Sequence, residues 1–352
     1  MQHRFVFEAV DRTLRDIRGS DALFGGIPVI LGGDFAQILP VVRRGDRPQI
    51  VQACLQYSPI WPQLEVRKLT ENMRVQGADP ENRAFVQWLQ DLSYNPAFHG
   101  SVEPLASFGR CYSQGQLIQR VYPRSLLEAA ASDSTLFADR AILCPRNITV
   151  ADINAAVLAQ CPGETTRYFS TNSVDQPPAE EGLELPPISP EFLFSLNFSG
   201  LQPSILELKV GVPVILLRNL QASKGMCNGT RLVITRLGRW VLQGKVLSGS
   251  FAGEIRLIPR IKLQSSKEDF AYIITRTQFP VRLCFAMSIN KSQGQSFRSI
   301  GVDLRDPVFS HGQFYVAMSR ATEVRNISIC YPGPGLQSSR VANIVYPEVL
   351  IH

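Results

Sequence analysis

The sequence predicts an α/β protein that carries a small inserted β-module, and three observations predict it. Short apolar runs alternate with amphipathic stretches in residues 1–75 and again from residue 140, as in a doubly wound parallel sheet. Residues 206–275 instead hold closely spaced β-runs joined by turn signals, the spacing of a small barrel. Between about residues 163 and 200 the composition shifts to Pro, Ser, Glu and Gly (DQPPAEEGLELPPISP), which opposes long regular elements and marks a boundary.

MQHRFVFEAVDRTLRDI reads as an amphipathic helix, with Phe5, Ala9 and Leu14 near one face. Val29–Leu31 reads as a strand, limited on its N-terminal side by Pro28. A helix near 48–57 and a short strand around Glu65–Leu69 follow. Residues 76–135 are predicted to be mainly helical scaffold, with FVQWLQDL packing around Trp88. RAILCPRN is a strand ending in polar residues, and TVADINAAVLAQC is a helix with Thr149 or Asp152 as N-cap. LELKVGVPVILLRNL, TRLVITRLG, RWVLQGKVL and EIRLIPRIKL supply the module's strands, with Asn228-Gly229 as a hairpin signal. The α/β pattern then returns through VRLCFAMSINKSQGQSF, the strand SIGVDL, the helix HGQFYVAMSRAT and the strand NISICY.

The formal charge of +6 over 352 residues permits an anionic partner without demanding one, because the basic residues are spread along the chain. Seven scattered cysteines, with no C-x-x-C pair and no zinc spacing, read as reduced thiols and give no metal site. No segment approaches the roughly 18 apolar residues of a membrane span, and no signal peptide is expected.

The stretch GGDFAQILPV, residues 32–41, follows the first apolar run. Gly32, Gly33 and Asp34 suit an ordinary capped turn, but Gln37 is left over. In open α/β sheets ligands bind beyond the carboxyl ends of the strands, which is where this cluster stands. Together with LTENMRV, CNGTRL, AMSINKSQGQSF and FYVAMSRAT, in this order, it resembles the Pif-one-type superfamily-one DNA helicases, especially their Helitron branch. Those five motifs spread over residues 32–322.

The resemblance implies RecA-like P-loop NTPase lobes with a small SH3-like barrel inserted in the second. Residues 1–75 would be the later part of the first lobe and 76–138 a helical connection; 139–205 and 276–352 would form the second lobe and 206–275 the insert. It implies a motor that hydrolyses ATP with Mg²⁺ while moving 5′ to 3′ on single-stranded DNA. Duplex junctions, a monomeric state, nuclear residence and work in repair, recombination or telomere maintenance are implied with it. Gln37 would face the terminal phosphate, Gly33 and Asp34 would shape its loop, and Arg74 and Arg320 would reach that phosphate from opposite sides. Guanidinium groups offer fixed, planar, always-charged donors for such oxygens. Gln293, Gly294 and Gln313 would lie toward the nucleotide; Lys291, Ser292, Asn228 and Thr230, with Arg231 beside them, would meet DNA.

The sequence departs from the family in one respect. G-x-x-x-x-G-K-[ST] occurs nowhere; the nearest fragment, Gly244-Lys245-Val246, lacks both the spacing and the hydroxyl. An Asp-Glu pair that the Helitron branch places just before a segment like MQHRF is missing too. The resemblance thus implies an incomplete first lobe and a chain that is inactive alone. The alternative is a non-catalytic single-stranded DNA-binding remnant of a Helitron protein.

Overall fold

In the computed structural model, which describes residues 1–75, 79–130, 133–175, 189–196, 201–265, 273–332 and 340–351, the chain divides into two compact units. The first contains Met1–Leu117, Leu143–Asn147 and Ser288–His352; the second contains Ile118–Ile142 and Ile148–Met287. This division cuts across the expected ranges, because the chain passes from one unit to the other inside the strands Arg140–Cys144 and Ala286–Ser288 rather than at a linker. Part of the expected boundary stretch, residues 176–188 and 197–200, lies outside the described residues.

The first unit is α/β. Ser299–Asp303, Ile327–Cys330 and Gly109–Cys111 pair in parallel, in register Ile300↔Ile327 and Cys330↔Cys111. Ile300, Val302, Ile327 and Ile329 are all fully buried, as a parallel sheet covered on both faces requires. The helix Pro80–Tyr94 starts on an Asp79 cap whose carboxylate accepts from Asn82 N–H. It turns Phe85, Trp88, Leu89 and Leu92 inward, and Trp88 meets Phe314 edge to face at 5.9 Å. Phe314 belongs to the six-residue helix Gln313–Met318, in which Phe314, Val316 and Ala317 are buried as the sequence predicts.

Two expectations in this unit fail, and a third, the mainly helical region 76–135, holds with an addition. Residues 29–31 and 65–69 join no ladder among the described residues, and Ile30 and Leu69 are 98% and 101% exposed. An apolar run becomes a strand only where a neighbour satisfies its backbone, and no described strand lies beside these. The helix Arg4–Arg18 forms, yet Phe5, Val6, Val10 and Ile17 are exposed while Phe7 and Leu14 pack against Phe24, Leu55 and Ile60. Its one buried residue is Asp11, which accepts from Phe24 N–H at 2.6 Å and from Arg15 Nε at 3.0 Å. Finally, the region 76–135 includes two short strands, Gly100–Val102 and Gly109–Cys111, besides its helices.

The second unit is dominated by antiparallel sheet. A five-stranded sheet has the order Ile255–Pro259, Val241–Val246, Arg231–Leu237, Pro213–Leu216, Val281–Leu283. Ile261–Gln264, Ile273–Gln278 and Thr171–Asp175 form a second sheet, and Thr166–Phe169 pairs with Ile205–Leu208. Alternate residues are buried along Val241–Val246, the period-2 pattern of a sheet with one wet face. The helix Asn147–Gln160 starts before Thr149, so neither Thr149 nor Asp152 caps it. Asn154 instead pins the helix by a paired bond to the Ala286 backbone, at 3.0 and 2.9 Å. All seven cysteines are free, and no described helix is long and apolar enough to cross a membrane.

Candidate nucleotide-sensing site

The loop that carries Gln37 is built by its own side chains and then clamped. Asp34 Oδ1 accepts from Ala36 N–H at 2.9 Å, and Gln37 N–H reaches Asp34 O at 3.2 Å, closing a turn. Phe35 meets Trp61 edge to face at 5.8 Å and packs against Phe24, Leu55 and Ile60 in one cluster and Leu39, Val51 and Cys54 in another. From outside the loop, His311 Nδ1 accepts Tyr346 N–H at 2.8 Å, which leaves Nε2 to donate to Phe35 O at 2.8 Å. Gly312, at φ 67°, approaches so closely that a Cβ there would stand 2.2 Å from Ala36 O. Neither His311 nor Gly312 was singled out from sequence; the adjacent His-Gly before FYVAMSR is the one signal that pointed to them.

Gln37 is held as an amide relay. Its Nε2 donates to Asp34 Oδ2 at 3.0 Å and its Oε1 accepts from Gln293 Nε2 at 3.3 Å. Tyr315 OH donates to the same Asp34 Oδ2 at 3.4 Å. Burial, and next the Asp34 charge, raise the Tyr315 phenol well above its ordinary range, so it stays a neutral donor.

The two arginines grip one turn. Arg74 Nε donates to Ser296 Oγ at 2.9 Å and Nη1 to Ser319 O at 3.1 Å. Arg320 is 1% exposed and donates to Val316 O, Gln295 O and Ser319 Oγ at 3.0, 3.2 and 2.8 Å. Burial, followed by the neighbouring Arg74 charge, lowers the Arg320 guanidinium to about 10. Asp34, Arg74 and Arg320 all act electrostatically on Tyr315, so the loop and both arginines share one neighbourhood.

The remaining candidates divide. Gly294, at φ 79° and exposed, follows Gln293 at this turn. Gly33 is exposed, and a Cβ there would meet no protein atom within 4 Å; the close backbone approach within the protein is at Gly312. Gln313 is fully buried, accepting from Phe309 N–H at 3.0 Å and donating to Asn290 Oδ1 at 3.1 Å. Lys291 is exposed, but Ser292 is fully buried and donates its hydroxyl to Ile289 O at 2.7 Å, so it offers no donor to DNA. Asn228 and Thr230 lie in the second unit. Asn228 is exposed, whereas Thr230 closes its own turn, donating to Gly225 O at 2.7 Å and accepting from Cys227 N–H at 3.1 Å. Arg231 is a buried strut that donates to Phe137, Ala138 and Arg140 carbonyls rather than a DNA contact.

Two guanidinium groups and two carboxamides form a donor set that fits phosphate oxygens. They do not fit Mg²⁺: among the described residues no group of three or more His, Cys, Asp or Glu side chains gathers to hold a metal.

The family model described as "PIF1-like helicase" matches residues 1–95, and that for "DNA helicase Pif1, 2B domain" matches residues 191–237. The chain is 28% identical over 327 residues to the human ATP-dependent DNA helicase PIF1, covering 92% of this chain and 44% of that protein. It thus spans less than half the length of that relative. Among solved structures it is similar to a Bacteroides Pif1 helicase in complex with ADP-AlF3 and single-stranded DNA, at TM-score 0.61 and 21% identity, covering 100% of this chain and 70% of that one. A Candida albicans Pif1 helicase aligns at TM-score 0.60 and 21% identity, covering 93% of this chain and 70% of that one.

Proposed function

We propose, from the premise that this chain belongs to the Pif1-like helicase family, that it supplies the sensing half of an ATP-driven DNA helicase. One observation carries the reading: an amide, Gln37, and two guanidinium groups, Arg74 and Arg320, stand around one turn, residues 293–296, that also bears Gln293. Terminal phosphate oxygens would take the place of the present acceptors, and loss of that phosphate would return the Gln37 amide N–H to Asp34 and the arginines to their carbonyls. Phosphoryl transfer needs such charge stabilisation rather than covalent help from the protein. Single-stranded DNA as the track, 5′-to-3′ movement, junction unwinding, a monomeric motor and nuclear genome maintenance belong to the same proposal, as does an SH3-like form for the β-module. ATP and Mg²⁺ are its cofactors, with the metal and the β-phosphate held by a phosphate loop that this sequence lacks.

The test is DNA-stimulated ATP hydrolysis. This chain alone should show none, and the same chain joined to a family phosphate-loop segment should turn over. In the joined enzyme Arg320→Ala should lower kcat by about 10³-fold or more. Turnover by the isolated chain that Arg320→Ala abolishes would overturn the assignment. The missing phosphate loop also favours a second reading, a non-catalytic single-strand binder, whose affinity would be salt-sensitive and indifferent to nucleotide.

A further inference from the structure

We infer that the outer face of the five-stranded sheet in the second unit is a stacking platform for single-stranded nucleic acid, centred on Trp240. The inference rests on the helicase reading and adds a contact outside the motif residues. Trp240 stands in the turn between the strands Arg231–Leu237 and Val241–Val246 and is 64% exposed. Two guanidinium groups approach its ring, Arg239 at 5.3 Å and Arg260 at 5.8 Å. Arg260 is fixed in place: its N–H reaches Trp240 O at 3.4 Å, Nη1 donates to Phe169 O at 2.9 Å, and its guanidinium lies 5.0 Å from the Phe279 ring. The same bond brings the end of the strand Thr166–Phe169 beside Trp240, where Phe169 and its register partner Ile205 are both exposed.

The platform continues along the edge of the sheet. Pairing in register Ile255↔Lys245, Leu257↔Gln243 and Pro259↔Val241 sets Ile255, Leu257 and Val241 on one face, opposite the buried Leu242 and Ile258. All three are exposed, Ile255 and Leu257 on the edge strand and Val241 on its neighbour, where an apolar surface is costly unless something uses it.

Charge selects the occupant. Arg239 and Arg260 stand against Trp240 and Lys245 shares the face of its register partner Ile255, while Glu207 and Glu254 are already paired with Arg167 and Arg256. Fixed cations beside exposed aromatic and aliphatic side chains suit a polyanion that carries flat apolar groups, and unpaired nucleic acid bases on a phosphate backbone have that chemistry. An acidic peptide would use the cations but leave the indole without a stacking partner.

The experiment is a titration of the full chain into a fluorescein-labelled oligothymidylate, read by anisotropy at several salt concentrations. Trp240→Ala should weaken binding about 5- to 100-fold, and Trp240→Phe should keep it within about threefold. Arg239→Ala should reduce the slope of log affinity against log salt by about 0.7. Light-induced cross-linking of 5-iodouracil oligonucleotides should map to the peptide bearing Trp240. Unchanged affinity for Trp240→Ala with no cross-link at that peptide overturns the platform; if Lys291→Ala weakens binding in the same assay, the helicase reading stands without it. A parent chain that binds no oligonucleotide even at low salt overturns both.

Discussion

Replacing Gly312 by alanine should damage the site more than replacing either glycine of the GGDF motif. At Gly312 φ is 67°, a left-handed conformation that costs an L-residue about 1–2 kcal/mol. The added Cβ would also stand 2.2 Å from Ala36 O and 2.9 Å from Gln37 O. Reaching even 3.0 Å requires one side to move by about 0.8 Å. Neither side moves freely, because Phe314, Val316, Ala317 and Met318 behind Gly312 are fully buried, and its own N–H is bonded to Ile344 O at 3.0 Å. Overpacking of that kind adds about 1–3 kcal/mol. Gly312→Ala should therefore lose about 2–5 kcal/mol, roughly 5–15 °C in Tm, in urea and thermal unfolding followed by tryptophan emission. Gly33→Ala, with open space around it, should stay within about 0.5 kcal/mol of the parent. A Gly312→Ala protein as stable as the parent, or a larger loss from Gly33→Ala, would refute the clamp.

His311 should make the first unit acid-sensitive. Burial sets its pKa below the ordinary 6.5 despite the opposing effects of the Phe35 carbonyl, Asp34 and Glu348, with Arg47 adding to the lowering. Below pH 6.5 the unfolded chain takes up a proton that the folded one resists, so the stabilisation is full above that pH and is lost as pH falls toward the folded value. His311→Gln should flatten the urea midpoint between pH 7.5 and 5. In the second unit, Arg276 is fully buried and donates to Asn172 Oδ1 and to the carbonyls of Gln202, Leu193 and Leu196. Arg276→Met leaves those acceptors unmet and should cost about 3–5 kcal/mol, measured by hydrogen exchange in the surrounding strands. Arg74 is partly exposed and holds only Ser296 and Ser319, so Arg74→Ala should change stability by less than about 1 kcal/mol while abolishing turnover in the loop-joined enzyme.

Elements whose identity depends on their own residues were legible in the sequence. Arg140–Cys144, Ser299–Asp303 and Ile327–Cys330 carry apolar residues at most positions because both of their faces are covered, and Val241–Val246 in the β-module alternates because one face is wet. What depended on a distant neighbour was not legible. Residues 29–31 have strand composition but no partner to pair with, and the helix Arg4–Arg18 turns Asp11 inward because Phe24 N–H needs an acceptor there. His311 joins residues 35 and 346 through its two ring nitrogens, a relation that no local pattern records. Arg231, expected from the resemblance to meet DNA, and Arg276, which no motif marked, each satisfy a cluster of carbonyls at the ends of other segments.

The division of labour within the site follows from the same accounting of polar groups. Arg320 keeps its charge at neutral pH even with its pKa lowered to about 10, and Arg74 adds a second like charge, whereas Asp34 is the one carboxylate acting on both Tyr315 and Arg320. Positive charge is therefore in excess at a turn whose present acceptors are neutral carbonyls and hydroxyls, and an anion is the species that relieves it. Gln37 needs no charge of its own to respond. An amide both donates and accepts, so its Nε2 can turn from Asp34 to a phosphate oxygen and back while its Oε1 keeps the bond from Gln293. A carboxylate there would repel the anion, and a lysine would bind it without the acceptor that Gln293 uses. On the proposed reading attraction would reside in the arginines and detection in the neutral side chain, which would account for a glutamine as the leftover residue of the GGDF loop.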